Sequence, residues 1–167
     1  QAPAEQLAEP RTRNQFKPVR KVLIHARGCT AAKLIRIAQE SDIKVVLVQS
    51  DPDMDSVAAG MMRKQDTLVS LGGQTSDESY LNAPSVLAIA ARQEVDALHP
   101  GIGFLSENER FARLVREHGI NFVGPYGRSM EIMGNKSNAI HTAMANKVPV
   151  VPGSLGILTS DEATAKV

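Results

Sequence analysis

The sequence has little of what several kinds of binding surface are made from. Only 4% of its 167 residues are aromatic and none is Trp, so the stacked rings of a single-stranded nucleic-acid platform are missing. Lys and Arg number 19 against 18 Asp and Glu. The basic residues are scattered and the formal net charge is +1, which leaves no concentrated field for a duplex or an anionic membrane. Cys29 is the single cysteine. It cannot close an internal disulfide, so a stapled secreted domain is excluded and the expected setting is reducing, the cytoplasm or an organelle matrix. No apolar run approaches the about 18 residues that a membrane-spanning helix needs. Also missing are G-x-G-x-x-G, a Walker A loop, G-x-S-x-G and paired-cysteine metal spacing, and the chemistries they carry have no support. Neither nucleic acid nor membrane is an expected partner.

What is present is enough apolar residue for a core. With 43% hydrophobic and 22% charged residues, one globular domain is the expectation, with room for a few elements of a second. Residues 1–20, "QAPAEQLAEPRTRNQFKPVR", are polar, carry three prolines and read as a flexible leader. From Lys21 the pattern becomes regular. "KVLIHA" is a short apolar run ended by Arg27-Gly28, and the helix that follows places Ala31, Leu34, Ile35 and Ala38 on one face. "IKVVLVQS" is nearly continuous in apolarity, as in a strand covered on both faces of a parallel sheet. A helix over about 55–64, the strand "TLVSL", a capping-box pair Thr75 and Glu78, a helix from Pro84, and the strands "VDAL" and "NFVG" complete the alternation. That order predicts a doubly wound α/β fold with a mostly parallel sheet. Helices over 128–133 and 136–146 follow, and "SDEATAKV" opens a further helix that stops after about two turns, as expected either of a fragment of a longer protein or of a small stand-alone module that lost the rest.

Two stretches point to chemistry. In "HPGIGFLSEN", Pro100 holds His99 extended, while Gly101 and Gly103 permit backbone geometry and close approach that a Cβ forbids. Ser106 and Glu109 have the spacing of a capping box that starts the next helix. In a parallel sheet such a loop lies at the carboxyl edge, where these folds bind ligands, although a purely structural strand-to-helix turn has the same look. His99 has no second acid, base or metal ligand at useful spacing, which favours a hydrogen-bonding role over catalysis. In "MGNKSNAIHTAMANK", Asn135 fits an N-cap and puts Lys136 in the first turn, where its charge opposes the helix dipole by about 0.5 kcal/mol. A phosphate would reverse that sign. A solvated surface lysine is the ordinary alternative. Cys29 beside a helix start can be a reactive thiol, but an inert packed one is commoner. Lys33, Arg36 and Glu40 form a polar stripe on the first helix, in its ordinary sense a solvated face.

Taken together, "KVLIHARGCTAAKLIRIAQESDIKVVLV", "LGGQTSDESYLN", "DALHPGIGFLSEN", "FVGP" and "MGNKSNAIHTAMANKVPVVPGS" resemble the amino-terminal domain of biotin carboxylase, over about Lys21 to Ser154. The "LGGQTSDESYL" stretch looks closest to α subunits of acyl-CoA carboxylases. The resemblance implies a Rossmann-like pre-ATP-grasp domain over 21–133, with 134–167 as the start of an ATP-grasp region. It implies use of ATP, Mg2+ and bicarbonate to carboxylate biotin on a carrier protein or domain, beside a carboxyltransferase subunit and in a homo-oligomer. In those terms Lys136 matches a lysine that contacts ATP phosphates. His99, Gly101 and Gly103 belong to a loop lining the active-site cleft, and Lys33, Arg36 and Glu40 fall at a subunit interface. The sequence also departs from the family. Ala26 and Cys29 stand where a polar amide and a carboxylate are usual, Ile102 replaces the loop tyrosine, Asn135 replaces an aspartate and Lys33 an arginine. The family's catalytic, metal and biotin residues lie in the ATP-grasp portion, so the 167 residues alone are not expected to be active. A non-catalytic, degenerate module with a structural or regulatory role in a carboxylase complex is the alternative.

Overall fold

Leu23 packs on one face of the central strand while its neighbours Val22 and Ile24 pack on the other, and this alternation divides the core in two. The computed structural model describes residues 18–152. The expected leader and the expected helix from Ser160 therefore fall outside, or largely outside, the described residues. Five strands, β1 (Lys21–Ile24), β2 (Lys44–Gln49), β3 (Thr67–Ser70), β4 (Ala97–His99) and β5 (Asn121–Phe122), form one sheet in the order β3-β2-β1-β4-β5. Each neighbouring pair is parallel. Parallel strands need crossovers, and helices supply them: α1 (Gly28–Glu40), α2 (Val57–Gly60), α3 (Ala83–Arg92) and α4 (Glu109–Glu117), followed by α5 (Gly127–Gly134) and α6 (Lys136–Ala145). This is the doubly wound α/β architecture expected from the sequence. No described helix is long and apolar enough to cross a membrane.

Ala31, Ile35 and Ala38 of α1 bury against Ile24, Val45 and Leu47 on one face. Val86 and Ala90 of α3, with Phe111, Ala112 and Val115 of α4, bury against Leu23, Val46 and Val48 on the other. Leu34 is only partly buried.

Three expectations need correction. The helix expected over 55–64 spans only Val57–Gly60, capped by Ser56 accepting from the Ala59 N–H. Thr75 and Glu78 do make the two-way capping bonds, since Glu78 accepts from the Gln74 and Thr75 amides and donates its own N–H to Thr75 Oγ1. They close a turn, however, and α3 begins later, at Ala83, capped by Asn82 and with Pro84 as its second residue. Ser106 does not cap α4: Asn108 does, its Oδ1 accepting from the Phe111 N–H at 2.8 Å. The Ser106 amide is already bound to the Gly103 carbonyl within the loop, and Asn is at least as good an N-cap as Ser.

Candidate functional site

The sheet changes winding direction between β1 and β4, and a doubly wound fold opens a crevice just past the carboxyl ends of the two strands at that point. Here the crevice is bounded by the turn 25–28 after β1 and the loop 99–105 after β4. The His25 N–H donates to the His99 carbonyl at 2.9 Å, so the two chains stay paired one step beyond the sheet. Gly101 then turns back across β1 at φ +65°, where a Cβ would lie 2.6 Å from Ala26 Cβ and 2.8 Å from the His25 carbonyl oxygen. No larger residue fits without moving backbone. Gly103, at φ +73°, faces open space, so its requirement is conformational alone. Ile102 between them is 78% exposed.

His99 braces this loop. Its Nδ1 accepts the Gly101 N–H at 3.1 Å, and burial of the partly covered ring lowers its pKa. Both favour the neutral ring, in keeping with a hydrogen-bonding role.

His25 and Tyr80 are central residues that sequence reasoning missed. His25 is fully buried, among the rings of Tyr80, Phe104 and Phe111. Its Nε2–H donates to the Tyr80 carbonyl at 2.9 Å. A carbonyl can only accept, so this bond requires the Nε2–H tautomer, and Nδ1 has no hydrogen-bond partner among the described residues. Desolvation lowers its pKa to about 4, against a smaller opposing effect of the Tyr80 and Pro100 backbone. Tyr80, 1% exposed, donates its hydroxyl to Asp53 Oδ2 at 2.7 Å and accepts the Ser50 N–H at 3.2 Å. Burial first, and then Asp53, push its pKa up to about 12, so the phenol remains a donor. Asp53 also accepts from Ser50 Oγ at 2.9 Å and from Arg27 at 3.1 Å. In the sequence Tyr80 closes the polar stretch "GGQTSDES", and no local spacing links it to His25, Ser50 or Asp53.

Asn135 caps α6, its Oδ1 accepting from the Asn138 N–H at 3.1 Å, and Lys136 is the first residue of that helix, as expected. The Lys136 side chain is exposed and makes no ion pair or hydrogen bond with another described residue. α6 packs on α5 and buries none of its residues fully. Its attachment starts at β5, where Arg116 of α4 donates to the carbonyls of Phe122, Gly124 and Pro125 and lies over the rings of Phe122 and Tyr126. The structure thus brings His99, Gly101 and Gly103 together, while Lys136 stands on a separate helical pair. A cavity of about 810 Å3 beside Arg113, Arg116, Tyr126 and Arg128 includes none of these candidate residues. Among the described residues no group of three His, Cys, Asp or Glu could hold a metal ion. Cys29 is exposed near the start of α1. Lys33, Arg36 and Glu40 are exposed on α1, where Arg36 and Glu40 approach to 3.9 Å.

Comparison with known proteins places the chain in a family and matches its fold. The family described as "Biotin carboxylase, N-terminal domain" matches residues 18–130. The chain is 42% identical, over 88% of its length and 27% of the relative, to the chloroplastic biotin carboxylase of Arabidopsis thaliana. It is 39% identical to the biotin-dependent acyl-coenzyme A carboxylase alpha3 subunit of Mycobacterium leprae, over 81% of the chain and 22% of that subunit. Its fold superposes with a TM-score of 0.81 and 37% identity on the biotin carboxylase domain dimer of Hydrogenobacter thermophilus 2-oxoglutarate carboxylase, solved with MgADP, ADP and bicarbonate, covering 89% of this chain and 32% of that one. The chain spans about a quarter of the first relative and a third of the solved domain. By sequence and by fold, it belongs to the biotin carboxylase N-terminal domain family.

Proposed function

We propose that this chain is the N-terminal part of a biotin carboxylase-type subunit of an acyl-CoA carboxylase, and that it forms one wall of the cleft in which ATP and bicarbonate are used to carboxylate protein-linked biotin. The observation that carries the reading is the close seating of the Gly101–Gly103 loop on the His25-Ala26 turn, at the sheet's switch point, in a chain of this family. Residues from 134 onward open the ATP-grasp region. There the charge of Lys136, which has no ion-pair partner among the described residues, suits a nucleotide phosphate at the start of α6. Mg2+ would be held by residues outside those described, because the described carboxylates form no cluster for it. The exposed stripe of Lys33, Arg36 and Glu40 is offered to a second copy. A biotin carrier and a carboxyltransferase subunit are the other partners, in the cytoplasm or an organelle matrix.

Isothermal titration of ATP into the complete protein tests the phosphate role: Lys136→Ala should weaken binding about tenfold, the scale of one charge-assisted contact. Unchanged affinity counts against it. Ile102 and Cys29, which depart from the family's usual residues, favour the alternative of a non-catalytic module. Bicarbonate-dependent ATP hydrolysis in the presence of free biotin separates the two, and its absence from the complete protein would select the module.

A further inference from the structure

Tyr80 comes from the connection between β3 and α3, yet one side chain reaches the turns after three other strands. Its hydroxyl bonds Asp53 and the Ser50 amide after β2. Arg27, after β1, lies over its ring at 5.8 Å and ion-pairs with the same Asp53. The ring stacks on Phe104, after β4, with centroids 4.6 Å apart and planes 17° from parallel. Its carbonyl receives the His25 Nε2–H from the end of β1. Phe104 immediately follows Gly103 and adopts φ +45°, a left-handed conformation that a phenylalanine does not choose by itself. Something must hold it there, and the stacked Tyr80 ring with the edge of His25 supplies the contact.

We infer that Tyr80 is a positioning residue for the cleft loop: anchored by Asp53 and the Ser50 amide, its ring holds Phe104 in the left-handed conformation and so fixes where Gly101–Gly103 stands over the crevice. The inference rests on the proposed role of that loop. It adds a buried residue that acts on the loop through Phe104.

Hydrogen exchange in the complete protein reads the loop directly through the amides of Gly101, Ser106 and Asn108, each hydrogen-bonded within 99–108. Tyr80→Leu removes the ring and the hydroxyl, and should speed exchange of these amides about tenfold while leaving β2 unchanged, as expected when one aromatic stack restrains a local opening. Tyr80→Phe keeps the stack and loses the anchor. It should accelerate the same amides less, and it carries the test if the leucine variant does not fold. Loop exchange at the wild-type rate in Tyr80→Phe and in any folded Tyr80→Leu protein would overturn the inference, as would equal acceleration of loop and β2. If the complete protein hydrolyses ATP in a bicarbonate-dependent way, Tyr80→Phe should lower kcat and leave KM for ATP unchanged, and an equal effect on both would count against loop positioning. A wild type without that activity would sink the catalytic reading alone, since the exchange comparison still decides the part played by Tyr80.

Discussion

Acidification should weaken this fold most through His25, the histidine whose pKa burial lowers furthest. In the folded protein the ring is sealed among Tyr80, Phe104 and Phe111, and its pKa lies at about 4 against 6.5 for an ordinary histidine. Between those two values the unfolded chain binds a proton that the folded chain refuses. The stability contributed by the neutral ring is therefore complete above pH 6.5 and is lost as pH falls toward 4. At 1.36 kcal/mol for each pKa unit, the loss is about 2 kcal/mol on going from pH 7 to pH 5 and about 3 kcal/mol below pH 4. The assay is urea unfolding at several pH values, for wild type and for His25→Gln. Glutamine does not titrate, and its amide can still donate to the Tyr80 carbonyl. Both proteins share every carboxylate and the other three histidines, so the difference between their pH profiles isolates His25. The wild type should lose about 2 kcal/mol more than the variant between pH 7 and pH 5. Coincident profiles would refute the reasoning, because they would mean that the ring charges as easily inside the protein as outside.

The loop glycines should separate in cost. Gly101→Ala combines a strained φ with a methyl driven into Ala26 and the His25 carbonyl, and should lower unfolding stability by about 2 to 4 kcal/mol, whereas Gly103→Ala, with open space around it, should cost about 1 kcal/mol. Equal losses in chemical denaturation would show that the close approach at Gly101 does not matter. At the start of α4, Asn108→Ala should cost about 1 kcal/mol and Ser106→Ala less than about 0.5 kcal/mol. The reverse order in thermal melts would restore Ser106 as the cap.

Most of the fold could be read in the chain because the deciding interactions are short-range in sequence. The apolar spacing of Ala31, Ile35 and Ala38 sets the buried face of α1. The unbroken run Val45 to Val48 marks a strand covered on both faces, and Asn135 caps the helix that starts one residue later. Where several local solutions compete, reading stops short. Ser106 and Asn108 both precede α4 at plausible distances, and the tight turn joining Ser106 to Gly103 decides between them. Thr75 and Glu78 bond as a capping box without a helix to follow. The site depends still more on tertiary structure. His25 and Tyr80 lie 55 residues apart, and the left-handed Phe104 is braced by both rings. No periodicity encodes that meeting. The sequence by itself settled the order and type of the elements, because helix faces, strand burial and caps depend on residues within a turn or two of one another. The fit of Gly101 on Ala26 and the burial of a neutral His25 were decided only by the packing of parallel strands, which brings distant loops to one edge of the sheet.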